Sequence, residues 1–208
     1  AESVLRSAGG TPFAGDFVVA TQSDPGRLDL AVVDVSGKGE AAGTRALMLS
    51  GALGGLLGAL PSARFLPAAN EYLLRQRWQE GFATAVHLTI DLRTGDFEIR
   101  TAGHPPALHL QSGSGRWQAV VSEGPVLGLV EDAAFTVARG RVHHGDALML
   151  YTDGLVETPQ RDLTMGIDRL RGRAERLLPQ GLTGGAEQLV EQLGSANDDC
   201  ALLMLHRG

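Results

Sequence analysis

Four stretches of this sequence place an aspartate where an apolar run starts or stops. Gly15-Asp16-Phe17 opens one run, and Leu30-Ala31-Val32-Val33-Asp34 closes another. Leu148-Met149-Leu150-Tyr151-Thr152-Asp153-Gly154 closes a third, and Asn197-Asp198-Asp199-Cys200 stands immediately before a fourth. Carboxylates gathered at strand ends repel one another unless a cation neutralises them. Hard divalent cations favour carboxylate and water oxygens. Taken alone, Asp34, followed by Val35-Ser36-Gly37-Lys38-Gly39, suits an anion or a metal equally well. Four acids at strand ends shift the choice to a metal. Asp146, just after Gly145, reads instead as a turn residue.

The elements that would position these acids follow from hydrophobic period and turn chemistry. Asp16–Gln22 and Leu28–Val35 read as strands around the turn signal Asp24-Pro25-Gly26. Asp16 begins the first and Asp34 ends the second, so antiparallel pairing brings both acids to one edge. Gly9–Pro12 reads as a turn, Glu40–Leu60 as a glycine-rich helix and Ala63–Gln79 as a second helix. The glycines at 43, 51, 54, 55 and 58 suggest close approach to a sheet, bending or a partly unwound end. Strands are expected at Phe82–Leu92, Asp96–Ala102, Ala107–Gln111, Arg116–Val121, Phe135–Arg139, Ala147–Thr152 and Cys200–His206. Helices are expected at Ile167–Leu177 and Gly185–Leu193. Helices after the first strands and before the last, with antiparallel strands between, indicate a β-sandwich flanked by helices.

Composition narrows the function classes. At 208 residues, one core is favoured over two. A net charge of -6 leaves no basic surplus to neutralise phosphates, which argues against nucleic acid as a partner. One cysteine excludes an internal disulfide and a cysteine metal cluster, and suggests a cytoplasmic setting. Cys200, with apolar neighbours, reads as a buried small hydrophobe. The stretch Ala46–Leu60 has 15 residues, short of the roughly 20 that span a bilayer, so a buried helix is expected and no membrane span. Ala1–Thr11 lacks the apolar run of a secretory signal. The abrupt start is compatible with one domain, residues 1–208, excised from a longer regulatory protein.

Five motifs in order carry a resemblance. Gly15-Asp16-Phe17, Asp34-Val35-Ser36-Gly37-Lys38-Gly39, Ala102-Gly103-His104-Pro105-Pro106, Tyr151-Thr152-Asp153-Gly154 and Asp198-Asp199 are similar to those of the SpoIIE/RsbU-type phosphatases. These are the bacterial branch of the metal-dependent (2C-type, PPM) serine/threonine protein phosphatases. Met165–Leu170 also resembles the segment that follows the fourth motif in that branch. The resemblance spans about Gly15 to Leu205. It implies an α+β, αββα sandwich of two mainly antiparallel sheets with two Mn²⁺ or Mg²⁺ ions at one end. Asp34 would bridge both ions, the carbonyl of Val35 would bind one, and Asp16 would act largely through waters. Asp153 and Asp198 would complete the other shell, with Asp199 the less favoured of the adjacent pair. The implied reaction is hydrolysis of phosphoserine or phosphothreonine by a water activated between the ions, with Asp34 and Asp153 central. The implied substrate is a phosphorylated anti-sigma-factor antagonist or similar signalling protein.

One departure stands out. The branch carries two glycines before the first Asp and a second acid three residues after it, where this chain has Ala14-Gly15 and Val19. A non-catalytic sensor or scaffold of the same fold is therefore the rival, with a small-molecule phosphatase a third reading. His104 is compatible with protonating a leaving alkoxide or with hydrogen-bonding a tight turn. Lys38 suits either a substrate phosphate or water, and His143-His144 read as surface residues. The Glu40–Gln79 helical pair, directly after Asp34, is a candidate regulatory element and a candidate homodimer surface.

Overall fold

The computed structural model describes residues 1–7, 14–24, 26–37, 39–78, 81–157, 162–195 and 198–208. The turn expected at Gly9–Pro12 and the role weighed for Lys38 lie outside the described residues. Ten strands form two antiparallel five-stranded sheets. The first is ordered β2 (Asp16–Asp24), β3 (Arg27–Val35), β4 (Ala83–Asp91), β5 (Asp96–Ala102) and β8 (Ala138–Arg141). The second is ordered β1 (Glu2–Arg6), β10 (Cys200–His206), β9 (Ala147–Tyr151), β6 (Ala107–Gln111) and β7 (Arg116–Val120). Helices α1 (Gly39–Leu56) and α2 (Ser62–Gln76) belong with the first sheet, and α3 (Leu163–Leu177) and α4 (Gly185–Leu193) with the second.

Side-chain alternation along the strands builds this four-layer order. On β3, Ala31, Val33 and Val35 pack toward Leu49, Leu53, Phe65 and Leu66 of α1 and α2. Leu30 and Val32, on the opposite face, meet Leu148, Leu150, Ala201 and Leu203 of the second sheet. On β9 the phase is equally clear: Ala147, Met149 and Tyr151 pack with α3 and α4, and Leu148 and Leu150 face the first sheet. The architecture is the expected αββα sandwich.

Several expected elements shift. β1 was not anticipated because its inward residues, Val4 foremost, are separated by charged or polar ones; pairing with β10 supplies its backbone partners. Phe135 is not in a strand: it packs against the helix-side core, and pairing with β5 begins only at Ala138. α3 starts four residues before the expected Ile167, capped by Asp162, whose carboxylate accepts the N–H of Met165 at 3.1 Å. α1 ends at Leu56, with Gly58 left-handed at φ 76°. Its glycines do not ease close packing at Gly51 and Gly55, where a Cβ would meet nothing within 4 Å. Among the described residues no helix is long and apolar enough to cross a membrane.

Candidate active site

Asp16 and Asp34 are direct partners in the β2–β3 register, and Asp34 pairs on its other side with Thr84 of β4. All three stand in the phase of the strand residues that face the second sheet. The apolar interior between the sheets thus ends in a polar row. Asp16 is buried at 5% exposure, and its carboxylate accepts the hydroxyl of Thr152 at 2.6 Å from across the gap. Thr152 is held in turn by β10: its Oγ1 accepts the N–H of Ala201 at 2.8 Å, and its own N–H donates to the Ala201 carbonyl at 3.0 Å. Asp153 follows in a short 3-10 turn, Asp153–Leu155.

The start of β10 closes the site from a third direction. The Gly15 N–H donates to the Asp199 carboxylate, and the Asp199 N–H donates to Asp198 Oδ1 at 3.1 Å. A Cβ built on Gly15 would lie 3.2 Å from the Val35 carbonyl oxygen and 3.3 Å from Asp199 Oδ2. Gly15 therefore lets that carbonyl and that carboxylate approach one backbone atom. Gly154 plays the matching part opposite, since a Cβ there would overlap the carbonyl of Asp199. Glycine at both positions keeps the three acid-bearing segments in contact.

The electrostatics record that convergence. Burial, then the charge of Asp34, pushes the Asp16 carboxyl up to about 9, with Asp199 and Asp153 adding to it. Burial, then Asp153, pushes Asp34 up to about 7, with Asp198 and Asp199 contributing and a hydrogen bond with Asp16 opposing. Asp153 is raised by burial, then by Asp198 and Glu157. Without a cation, the site holds protons instead of full negative charge. No ion pair among the described residues involves Asp16, Asp34 or Asp153. The donor chemistry fits hard divalent cations. Among the described residues, however, no three acidic, histidine or cysteine side chains already surround a common point. The acids are gathered but not closed into a cage.

His104 is buried and spans the two sheets. Its Nε2 lies 2.9 Å from the Tyr151 carbonyl and its Nδ1 2.7 Å from Thr84 Oγ1. A carbonyl only accepts, so Nε2 carries the proton and Thr84 donates to Nδ1. Burial lowers the imidazole to about 4, against a smaller raising effect of the Tyr151 hydrogen bond. A neutral ring with both nitrogens engaged is a brace between Thr84, beside Asp34, and Tyr151, two residues before Asp153. The general-acid reading of His104 finds no exposed proton to support it.

Other residues fall outside the site. Asp146 accepts the N–H groups of Ser112 and His143, as a turn residue does, and His143 and His144 are exposed. Cys200 is buried and donates its thiol to the Gly154 carbonyl at 3.1 Å, with burial raising its pKa. Thr152 and Thr84 were given no role from sequence. The available signal was phase: Thr152 continues the inward stripe of Leu148 and Leu150 with a hydroxyl.

The family model described as Stage II sporulation protein E (SpoIIE) matches residues 24–208. The chain belongs to the SpoIIE family. It therefore falls in the RsbU-like branch of the PPM serine/threonine protein phosphatases. It is 34% identical over 76 residues to phosphoserine phosphatase RsbP of Bacillus subtilis (strain 168), covering 36% of this chain and 19% of RsbP. The solved RsbU and RsbW domains of Rv1364c from Mycobacterium tuberculosis match with TM-score 0.81 and 28% identity, over 99% of this chain and 60% of that one. The PP2C phosphatase domain of SpoIIE from Bacillus subtilis, solved with a fragment of its regulatory domain, matches with TM-score 0.84. Identity there is 18%, over 97% of this chain and 61% of that one, and the likeness speaks to fold. The chain spans less than two thirds of each of these proteins.

Proposed function

We propose that residues 1–208 form one phosphatase domain that hydrolyses phosphoserine or phosphothreonine in a regulatory protein, using two divalent cations, Mn²⁺ or Mg²⁺. The observation that carries this reading is the direct pairing of Asp16 with Asp34 at a sheet end that Asp153 and Asp198 also charge. Asp34, with an acid from another segment on either side, suits the bridging position, and the Val35 carbonyl beside Gly15 suits one ion. Asp16, committed to Thr152, suits contact through water. Asp153 and Asp198 suit the second ion. Asp199 is committed to the Gly15 amide, which favours Asp198 of the adjacent pair.

When bound, the ions supply charge neutralisation for phosphoryl oxygens and an acidified water. The chain's own part is to hold acids from β2, β3, β9 and β10 at fixed spacing. Thr152, His104 and Gly15 tie the two sheets together at that end. No side chain is positioned as a protein nucleophile, and the one cysteine is a buried thiol.

The substrate is taken to be an anti-sigma-factor antagonist or a similar small signalling protein. This rests on the resemblance, on the phosphoserine phosphatase RsbP, and on the RsbU and RsbW domains present together in Rv1364c. Val19, where the branch carries a second acid, packs toward α1, its Cγ1 being 3.8 Å from a Cβ built on Gly54. That position serves helix packing here, so its loss bears on tuning more than on hydrolysis. Release of phosphate from phosphoserine protein and from p-nitrophenyl phosphate, with Mn²⁺ and with EDTA, tests the proposal. Metal-dependent turnover of both supports it. A folded protein inert toward both in Mn²⁺ would favour a scaffold.

A further inference from the structure

Arg45 is a cation held near the acid end without an acid of its own. It lies in α1 one helical turn beyond Ala42, whose Cβ is 3.7 Å from a Cβ built on Gly37 and 4.0 Å from one built on Gly15. Its guanidinium carbon stands 5.1 Å from the ring centroid of Trp78. One of its terminal nitrogens would lie 3.3 Å from a Cβ on Gly81. Gly81 leads into Phe82, whose N–H donates to Ser36 Oγ at 2.9 Å and whose carbonyl accepts the Ser36 N–H at 3.0 Å. Ser36 is two residues from Asp34. A short series of contacts therefore seats Arg45 and Trp78 beside the site, on the side of the first sheet.

Among the described residues Arg45 makes no hydrogen bond and no ion pair. Guanidinium remains charged at any relevant pH, and stacking on an aromatic face leaves its edge donors free to fork a carboxylate. The neighbouring loop adds apolar surface and is fixed in place. Leu127 exchanges both backbone hydrogen bonds with Ala83. Asn70, buried on α2, accepts the N–H of Gly128 at 2.9 Å and donates to the Val130 carbonyl at 2.8 Å. Gly128 sits against Gly81, with 3.7 Å from its built Cβ to the Gly81 carbonyl. Beyond it Leu129 and Val130 are exposed at 58% and 46%. Two braced segments thus present a cation, an indole and two aliphatic side chains next to the acids.

We propose that this patch docks the phosphoprotein substrate, with Arg45 taking an acidic side chain close to the phosphoserine and Leu129 and Val130 an apolar one. The charge balance favours this occupant. The chain carries -6 overall and concentrates acids at the site, so an acidic phosphoprotein needs a cation at the rim to approach. The inference rests on the phosphatase reading above.

The test compares two phosphoserine peptides, one with acidic and one with neutral flanking residues, hydrolysed in Mn²⁺ by wild type, Arg45→Ala, Arg45→Lys and Leu129→Glu. In Arg45→Ala the kcat/KM ratio of acidic over neutral peptide is expected to fall roughly 10-fold, mainly through KM, as loss of a charge-assisted hydrogen bond requires. Arg45→Lys should recover part of that ratio. Leu129→Glu, on an exposed loop, should lower it independently of any effect on α1. An unchanged ratio in Arg45→Ala and Leu129→Glu would overturn the docking proposal while leaving the phosphatase reading intact. Absence of wild-type turnover of either peptide and of p-nitrophenyl phosphate would remove both.

Discussion

Asp16 and Asp34 occupy directly opposed positions on β2 and β3, both in the phase that faces the second sheet. Apolar residues fill that phase further along both strands, so two like charges lie at the end of a dry layer. Burial, then Asp34, raises Asp16 to about 9; burial, then Asp153, raises Asp34 to about 7. Between the unfolded carboxylate value near 4 and those values, the metal-free folded state binds protons that the unfolded state has released. The slope of stability with pH is then negative. Metal-free protein should lose stability as pH rises from about 5 to 9, and Mn²⁺ should reverse the trend by replacing protons with cations. Asp34→Asn removes one of the repelling charges. In EDTA at pH 8 its melting temperature should exceed that of wild type, and its Mn²⁺-induced rise should be lost. Thermal melts across pH with and without metal read both effects.

His104 gives a pH effect of the opposite sign. Its folded-state value near 4 lies below the unfolded value of about 6.5, so the unfolded chain binds the extra proton between them. The stabilisation is complete above about 6.5 and is lost as pH falls toward 4. In His104→Gln this portion of the acid destabilisation should disappear. The alkaline limb of the kcat profile should keep its shape, because no proton is delivered from this ring. Loss of that limb in the variant would restore the general-acid role.

How much of this was readable from sequence depends on the residue. The acids at 16, 34, 153 and 198 stand at strand ends that hydrophobic period and turn chemistry locate, and the Asp16–Asp34 pairing follows from antiparallel geometry alone. The braces were not legible. Thr152 reaches Asp16 across 136 positions of chain, and Gly15 reaches Asp199 across 184; neither relation leaves a local pattern. β1 was missed for a related reason, since its strand character comes from β10 at the far end of the chain.

Thr152→Val keeps the side-chain volume and removes the hydroxyl that fixes Asp16. Outer partners of metal ligands commonly contribute 10- to 100-fold to metal affinity, so the Mn²⁺ concentration for half-maximal activity should rise by about that factor. Activity at saturating Mn²⁺ should recover substantially. Thr152→Ser, which retains the hydroxyl, should stay close to wild type. A metal titration of all three proteins checks this.

Gly154→Ala drives a methyl group into the Asp199 carbonyl, and only backbone movement relieves the overlap. Overpacking of this kind costs about 1–3 kcal/mol, so a clear drop in denaturation midpoint is expected. The displacement falls on the acid-bearing β9 and β10 segments, and weaker Mn²⁺ binding should accompany it. Gly51→Ala, where the added carbon meets nothing, is the control and should be neutral or slightly stabilising. Urea denaturation with and without Mn²⁺ separates the two.

The most direct measurement is the number of Mn²⁺ ions bound per folded chain, by calorimetric titration of wild type, Asp34→Asn and Asp153→Asn. Two ions are expected in wild type, with binding sharply weakened in both variants and phosphate release falling more than about 100-fold, a barrier increase above about 2.7 kcal/mol. Wild-type stoichiometry and affinity in folded Asp34→Asn would contradict a metal centre organised around the Asp16–Asp34 pair.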